Sequence, residues 1–389
     1  MKDLLSKYFI RIFGSLLIIC CFGAPVFSQK LGDKVVRETI PDFLKTPAEN
    51  YVKEVPIVIV SYLPLDDNQE LDRDVTGAKL SLESMKTKLM RMNIQSKFML
   101  EEGTKYKGYE NPDAVPFAGY RVVDYLIVYD DFKEGMEVPW NKGWYRPDYF
   151  DVMETIDGKY YVEELGVKEV WLWGWHHGTI EPAETNMASP LTADISNSER
   201  TDDLPIYNST YMLYNYNMNR TANQAVHNHG HQIEAAMMHA NEATNGNQNL
   251  FLNAYVGWDG KGDDKRPPLG RVGDTHHPPN TTKDYDYLNP TLIESDIMDW
   301  NPDGSGEKKM VNCFTWGNLP YQWPDGLSTE SKIEAHWYIF WMQNMPGYNN
   351  ELTYKGEKMN NWWEYKIDWD YANGNNIGLF GSPKTSRVN

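Results

Sequence analysis

Apolar residues recur along the chain at two different spacings, which separate predicted strands from predicted helices. Three near-continuous apolar runs of strand length, at residues 55–62, 122–129 and 167–173, are typical of strands buried on both faces of a sheet. Residues 77–92 repeat apolar side chains at helical spacing, and residues 149–165 are predicted to be helical in part. This alternation of strands and helices predicts an α/β fold with a mainly parallel sheet in the N-terminal half.

The C-terminal half is predicted to be rich in helices and loops. Residues 178–203 are loop-like, because proline, asparagine, serine and aspartate interrupt every regular period there. A strand is expected at 207–217 and a helix at 328–345. In the N-terminal half, a further strand is expected at residues 96–100. Ligands bind beyond the carboxyl ends of the strands in open parallel sheets. The strand that ends at Trp173 should therefore deliver the residues that follow it to a binding site.

The central element of the pattern is a helix predicted at residues 221–239, with the sequence TANQAVHNHGHQIEAAMMH. Its expected buried flank consists of Ala222, Val226, Ile233, Met237 and, just beyond, Ala240. His227, His231 and Glu234 share one polar stripe beside that flank. Two imidazoles four residues apart on a helix can direct their ring nitrogens at one metal ion. The spacing therefore predicts a zinc site with His227 and His231 as ligands.

A catalytic zinc ion normally has three protein ligands and one open position, so a third ligand is needed. His276 and His277 lie in a turn-rich segment after the helix, and two prolines fix the backbone immediately behind them. We take His277 as the preferred third ligand and Glu234 as the alternative. If His277 is the ligand, Glu234 becomes a candidate general base.

The segment AVHNHGH at residues 225–231 resembles the H-E-x-G-H helix of the zincin metallopeptidases at both histidines and at the glycine. The resemblance implies a zinc ion and peptide hydrolysis, in which a glutamate after the first histidine accepts a proton from the zinc-bound water. This chain has Asn228 at that position, and an amide has no basic site near neutral pH. The resemblance therefore favours a metal site and leaves the identity of the base open.

Two further segments are similar to a group of secreted bacterial proteins in which an H-N/S-x-G-H-x-x-E helix is accompanied by two short motifs. The upstream motif is E-S/T-x-hydrophobic-A, and this chain has ETNMA at residues 184–188. The downstream motif is H-x-P-P-N, and this chain has HHPPN at residues 276–280. The likeness implies one shared site rather than a particular reaction, and it makes Glu184 a second candidate for catalytic proton transfer.

Four residues are candidate substrate-binding groups. Trp173 and His177 lie at and just after the end of a predicted strand, while Asn280 and Tyr285 lie in the turn-rich segment after the central helix. An ordinary structural role in the core or in a loop is the alternative for each of them.

The N-terminus has the pattern of a secretory signal peptide at residues 1–28. Basic residues precede an apolar run at 13–22, and small residues suitable for cleavage follow it. The run is too short for a membrane-spanning helix with ordinary flanks. The mature protein is therefore expected to be secreted or periplasmic and to have no membrane attachment.

The mature chain is expected to consist of an arm at residues 29–53 and a single large α/β domain at 54–389, with a candidate subdivision near residue 176. Signal cleavage would leave 34 basic and 54 acidic residues, so the net charge would change from −18 to −20. An acidic surface argues against nucleic acid and anionic membranes as partners. Only one cysteine, Cys313, lies outside the signal, so no internal disulfide is expected.

Three functions fit these observations. The first is a secreted zinc-dependent hydrolase that acts on an extracellular peptide, amide or glycan. The second is a metal-free, glycan-active enzyme that uses Glu184 and another carboxylate in a cleft lined by some of the 14 tryptophans and 25 tyrosines. The third is a non-catalytic carbohydrate-binding protein in which the zincin-like helix has lost its chemistry.

Overall fold

The structure is a computed structural model, and it describes residues 31–198, 200, 202–245, 250–258, 270–321 and 327–382. The predicted signal peptide at residues 1–28 lies outside the described residues. Among the helices that the structure describes, none combines the length and the apolar character that crossing a membrane requires.

The strands of the described residues follow one another along the chain as β1 (Val35–Arg37), β2 (Lys53–Tyr62), β3 (Ala118–Val128), β4 (Glu134–Glu137), β5 (Tyr145–Pro147), β6 (Glu169–Gly174), β7 (Thr185–Ala188), β8 (Tyr211–Asn217), β9 (Ile293–Ser295), β10 (Lys309–Val311), β11 (Thr353–Tyr354) and β12 (Glu357–Lys358). The α-helices are α1 (Asp42–Lys45), α2 (Arg73–Thr76), α3 (Leu82–Gly103), α4 (Tyr149–Thr155), α5 (Ala222–Asn245), α6 (Cys313–Gly317), α7 (Thr329–Gln343), α8 (Trp363–Ile367) and α9 (Trp369–Gly374). Two π-helical segments, Tyr160–Glu164 and Leu250–Val256, and one 3₁₀ turn, Ile297–Asp299, complete the helical elements.

A six-stranded, mostly parallel sheet forms the centre of a mixed α/β fold, as the sequence predicts. Its strand order is β1-β3-β2-β6-β8-β7. The four inner strands run parallel, and the short strands β1 and β7 pair antiparallel at the two edges. The other strands form three separate antiparallel pairs.

Helices cover both faces of the sheet, which explains why its inner strands are apolar along almost their whole length. On one face, the indole N–H of Trp173 in β6 donates a 2.7 Å hydrogen bond to Oδ1 of Asn93 in α3. On the same face, α5 packs on β8, where His229 stacks on Tyr214 at a ring distance of 3.8 Å. On the other face, the Tyr149 hydroxyl in α4 lies 3.3 Å from Oδ1 of Asn215. All residues of β6 are buried as a result.

The strand predicted at residues 96–100 is wrong, because these residues belong to the long helix α3. Lys97 and Glu101 form a buried ion pair of 2.7 Å one helical turn apart. Such a pair brings its charged groups together on one face of a helix, whereas a strand spreads the same positions along its length. The short apolar run alone does not distinguish the two structures.

Two segments expected to be irregular contribute strands to the central sheet. The predicted arm contains β1, which pairs with β3, and the predicted loop at 178–203 contains β7, which pairs with β8. Both strands are short, and short edge strands carry little periodic signal in the sequence. Strand β7 also places Glu184, the residue before it, at the same end of the sheet as the carboxyl end of β8.

Candidate metal centre

Three histidines bring one ring nitrogen each to a common point. His227 and His231 lie on α5, and His276 lies in the segment between α5 and β9; their nitrogens all lie within 4.8 Å of one another. Nε2 of His231 is 2.9 Å from Nε2 of His227 and 3.2 Å from Nε2 of His276. Nitrogens bound to one zinc ion at about 2.0–2.1 Å and at a tetrahedral angle are about 3.3 Å apart. The spacing therefore suits a single metal ion.

A chain of hydroxyl groups fixes the protonation of His227. The Tyr287 hydroxyl donates to the carbonyl oxygen of Thr275 at 3.0 Å, and the Tyr338 hydroxyl donates to Tyr287 at 2.9 Å. Because the Tyr338 hydrogen is used in that bond, its oxygen accepts from Nδ1 of His227, which is 3.0 Å away. The neutral ring of His227 therefore carries its hydrogen on Nδ1 and presents a lone pair at Nε2.

A carboxylate fixes His231 in the same way. Nδ1 of His231 lies 3.1 Å from Oε2 of Glu234 and donates to it, so the neutral ring again presents a lone pair at Nε2. A carboxylate on the far nitrogen orients a metal-binding imidazole and makes it more basic. Glu234 is thus a positioning residue for His231 in this geometry, rather than a group at the open side of the centre.

The two lone pairs that face each other at 2.9 Å attract a cation into the space between the rings. Burial lowers the pKa of His227 well below its ordinary value. Burial also lowers the pKa of His231, but the hydrogen bond and charge of Glu234 outweigh burial and raise that pKa to about 9. The charge of Glu234 therefore favours a cation at Nε2 of His231, between the rings.

Glu184, the residue immediately before β7, faces the same point. Its Oε2 lies 3.4 Å from Nε2 of His231 and its Oε1 lies 4.0 Å from Nε2 of His227. The side chain of Asn197 donates to Oε2 at 3.1 Å and holds the carboxylate in place. About a third of the Glu184 side chain is exposed, so this carboxylate connects the centre to the solvent.

Asn228, at the position where zincin helices carry the catalytic glutamate, has a structural role in this chain. Its Nδ2 donates to the carbonyl oxygen of Glu184 at 3.2 Å and to that of Asn215 at 3.0 Å. These two bonds tie α5 to the strand pair β7–β8. In zincin helices this position carries the base. In this chain it supports the backbone of Glu184, whose carboxylate reaches the centre from another element.

The segment that carries His276 is packed directly on α5. A Cβ atom on Gly230 would lie 2.5 Å from Oγ1 and 2.7 Å from Cγ2 of Thr275, so only glycine allows this contact. The backbone N–H of Thr275 donates to Oε1 of Glu234 at 2.8 Å. The glycine of the histidine motif therefore sets the distance between the helix and the third histidine.

Replacing Gly230 with alanine should lower the thermal unfolding temperature and the zinc occupancy. Alanine favours an isolated helix by about 1 kcal/mol, but overpacking against Thr275 costs about 1–3 kcal/mol and moves His276 away. Calorimetry and metal analysis measure the two effects. The matched control is G230A combined with T275A, which removes the two closest atoms, Oγ1 and Cγ2, and should recover most of the occupancy. A stabilised G230A variant with full zinc occupancy would contradict this account.

The sequence prediction chose His277 as the third ligand, but the structure brings its neighbour His276 to the group. His277 is held between two carboxylates, since Nδ1 lies 2.9 Å from Asp274 and Nε2 lies 2.8 Å from Asp284. Asp274 also accepts the backbone N–H groups of both histidines. This turn directs the His276 ring toward α5 and the His277 ring away from it.

The four candidate substrate-binding residues lie in different surroundings. Tyr285 is half exposed and its ring lies 4.4 Å from that of His276. Trp173 is fully buried and only borders the cleft. Asn280 is buried and donates to the carbonyl oxygens of Asn289 and Thr291, which clamps its own turn. His177 is exposed and packs near Gly77.

A cleft opens beside the centre at the carboxyl ends of β6 and β8, as the parallel sheet predicts. One cavity of about 250 Å³ includes Trp140 and His176 in its lining, and a second of about 370 Å³ includes Tyr285 in its lining. Glu184, Arg220 and Gln224 line both cavities, so the two meet at these residues. His227 lines the second cavity, which brings the metal centre to the junction.

Several residues that shape this site are absent from the sequence-based predictions, namely Trp140, Arg220, Asp274, His276 as a ligand and Tyr338. Arg220 immediately precedes the predicted central helix, and this position could have marked it as a candidate residue of the site. The others reach the site from distant parts of the chain, and no local spacing marks them.

No protein-family model, curated protein or solved structure matches this chain. The zincin resemblance of α5 therefore stays a prediction, and the functional interpretation rests on the geometry of the site.

Proposed function

We propose that this protein is a zinc-dependent hydrolase that cleaves an amide bond. The observation that carries the proposal is the convergence of three imidazole nitrogens beside the Glu184 carboxylate in a cleft. Imidazole nitrogens suit zinc among the common metals. Zinc held by His227, His231 and His276 would make a bound water acidic near neutral pH and polarise a carbonyl oxygen.

Glu184 would be the general base in this reaction. Its oxygens lie 3.4–4.0 Å from the histidine nitrogens, at the side of the centre that opens to the cleft. A carboxylate there accepts a proton from the attacking water and then returns it to the leaving nitrogen. Glu234 would keep His231 oriented throughout, because its two oxygens are occupied by His231 and the backbone of Thr275.

The amide assignment follows from the chemistry that a metal centre favours. A metal-bound water attacks an electron-poor carbonyl carbon, whose oxygen the metal polarises. Glycoside hydrolysis instead uses two free carboxyl groups on opposite sides of the bond. Glu181, which lines the first cavity together with Glu184, already accepts hydrogen bonds from Trp140 and Asn141 with its two oxygens. Amide hydrolysis therefore fits this site better than the metal-free glycan alternative.

Removal of any one of the three histidines should abolish stoichiometric zinc binding. The purified protein is stripped with a chelator, reloaded with zinc and dialysed, and its zinc content is measured by mass spectrometry. We expect one zinc per chain in the native protein and less than about a tenth of that in H227A and H276A, because two imidazoles do not complete a catalytic site. His239, two turns further along α5, provides the matched control. Zinc content near zero in the native protein, or equal in native protein and H276A, would remove the proposal.

A further inference from the structure

We propose that Arg220 binds a carboxylate of the substrate next to the cleaved bond, so that the preferred substrates are N-acyl amino acids or short peptides with a free C-terminus. This inference rests on the proposed amide hydrolysis, because it assigns the substrate class of the same site. Its starting point is the place of Arg220 in the cleft. It lines both cavities together with Glu184 and is exposed.

Within the part of the chain that the structure describes, the guanidinium of Arg220 is free to receive a ligand. Among the described residues, no carboxylate lies within 4.0 Å of it, and its side chain forms no hydrogen bond. The other arginine of the cleft, Arg146, is buried and bound to Ser198 and Asp203. Guanidinium groups bind carboxylates through two parallel hydrogen bonds. Arg220 is thus the cationic group that remains available at the junction of the cavities.

Among the described residues, no ion pair joins Arg220 to the acidic residues that line the two cavities, which are Glu181, Glu184, Glu330 and Glu334. Glu184 is bound by Asn197 and faces the histidines. Glu334 accepts a hydrogen bond from Gln224, and burial raises the pKa of its carboxyl group. The chain has a net charge of −18, so its overall field repels anions. An arginine without an ion-pair partner among the described residues attracts an anionic group to this one place in the cleft.

The position of Arg220 also limits how far the carboxylate lies from the reacting carbonyl. Since Arg220 and Glu184 line the same junction, the anionic group must lie close to the amide that Glu184 serves. In an N-acyl amino acid, the carboxylate is separated from the amide nitrogen by a single carbon. The acyl group can then occupy one cavity and the amino-acid side chain the other.

Both cavities offer aromatic surface for these two groups. Trp140 is 70% exposed, and its indole N–H donates to Oε1 of Glu181 at 3.0 Å, which holds the ring at the mouth of the first cavity. Tyr285 and Leu288 line the second cavity and are each about half exposed. Apolar or aromatic residues on either side of the amide therefore suit this cleft better than charged ones.

The test measures binding first, so that it does not depend on turnover. Zinc-loaded E184Q protein is titrated by calorimetry with an N-acylated dipeptide of two aromatic residues and with the C-terminal amide of the same dipeptide. We expect the free acid to bind about 10- to 100-fold more tightly than the amide, which is the range for a charge-assisted hydrogen-bonded pair. R220Q should remove this preference, R220K should retain part of it, and R91Q, which replaces an exposed arginine in a separate groove, should retain all of it.

Turnover by the native protein then separates the two proposals. Faster cleavage of the acid, with the difference in KM lost in R220Q, supports both. Equal binding and equal cleavage of the acid and the amide would overturn the carboxylate inference and leave amide hydrolysis standing. Binding of neither ligand to the zinc-loaded protein would overturn the inference as well. Absence of zinc from the native protein would instead remove the proposed function.

Discussion

Replacement of Glu184 with glutamine should reduce turnover of an amide substrate about 10²- to 10⁴-fold while zinc stays bound. Glutamine keeps the size of the side chain and can still accept from Asn197, but it has no basic oxygen to take a proton from water. Zinc content should stay near one per chain, because the three histidines remain in place. The pair of measurements is the steady-state rate and the zinc content of the same preparation.

The outcome distinguishes a base from a fourth ligand. If Glu184 were bound to the metal in a closed, purely structural site, E184Q would lose zinc affinity together with any activity. Full activity with full zinc content would show that the base lies elsewhere, and Glu234→Gln would then be the variant to examine. Glu154→Gln, which changes an exposed carboxylate on α4, controls for the general loss of one negative charge.

Much of the fold follows from local patterns in the sequence. The apolar runs predict the inner strands because both faces of a parallel sheet are covered, so nearly every residue in them is buried. The long helix α5 is equally clear, since its apolar flank repeats with helical period over five turns. The run at 96–100 lacks such a repeat over enough residues, and its interpretation as a strand was therefore wrong.

The candidate site was predictable only in the part that lies on α5. His227 and His231 are four residues apart on one helix, and this spacing alone brings their rings together. The choice between His276 and His277 depends on the turn made by Asp274, which is a tertiary feature. The place of Glu184 depends on β7 pairing with β8, across a segment of the chain that looks irregular. Residues joined by sheet pairing or by a loop that packs on a helix leave no periodic trace in the sequence.

The supporting contacts suggest why the asparagine of the motif cannot simply be exchanged for the glutamate of the zincin helix. Asn228 is 6% exposed, and its amide N–H₂ group is the donor that two backbone carbonyls share. One of these carbonyls belongs to Glu184 itself. Position 228 therefore acts on the candidate base through the backbone of β7, whereas the corresponding glutamate of the resembled helix would act on the water directly.

Replacement of Asn228 with glutamate should accordingly inactivate the protein rather than restore peptidase chemistry. The carboxylate cannot donate to the carbonyl oxygens of Glu184 and Asn215, and the loss of each hydrogen bond costs about 0.5–1.5 kcal/mol. The Glu184 oxygen still accepts from the backbone N–H of Asn215 at 3.2 Å. We expect the thermal unfolding temperature to fall by several degrees and the amide turnover to fall at least tenfold, because β7 and the Glu184 carboxylate lose their support. Calorimetry and the amide assay measure the two effects.

The matched control is Asn228→Gln, which has the length of glutamate but retains the donating N–H₂ group. If the donor is what matters, N228Q should be clearly more stable and more active than N228E, although the longer side chain must adjust to reach the same carbonyls. Equal losses in both variants would assign the effect to side-chain size instead. A gain of activity in N228E would place the catalytic base on the helix, as in the zincin pattern, and would overturn the role given to Glu184.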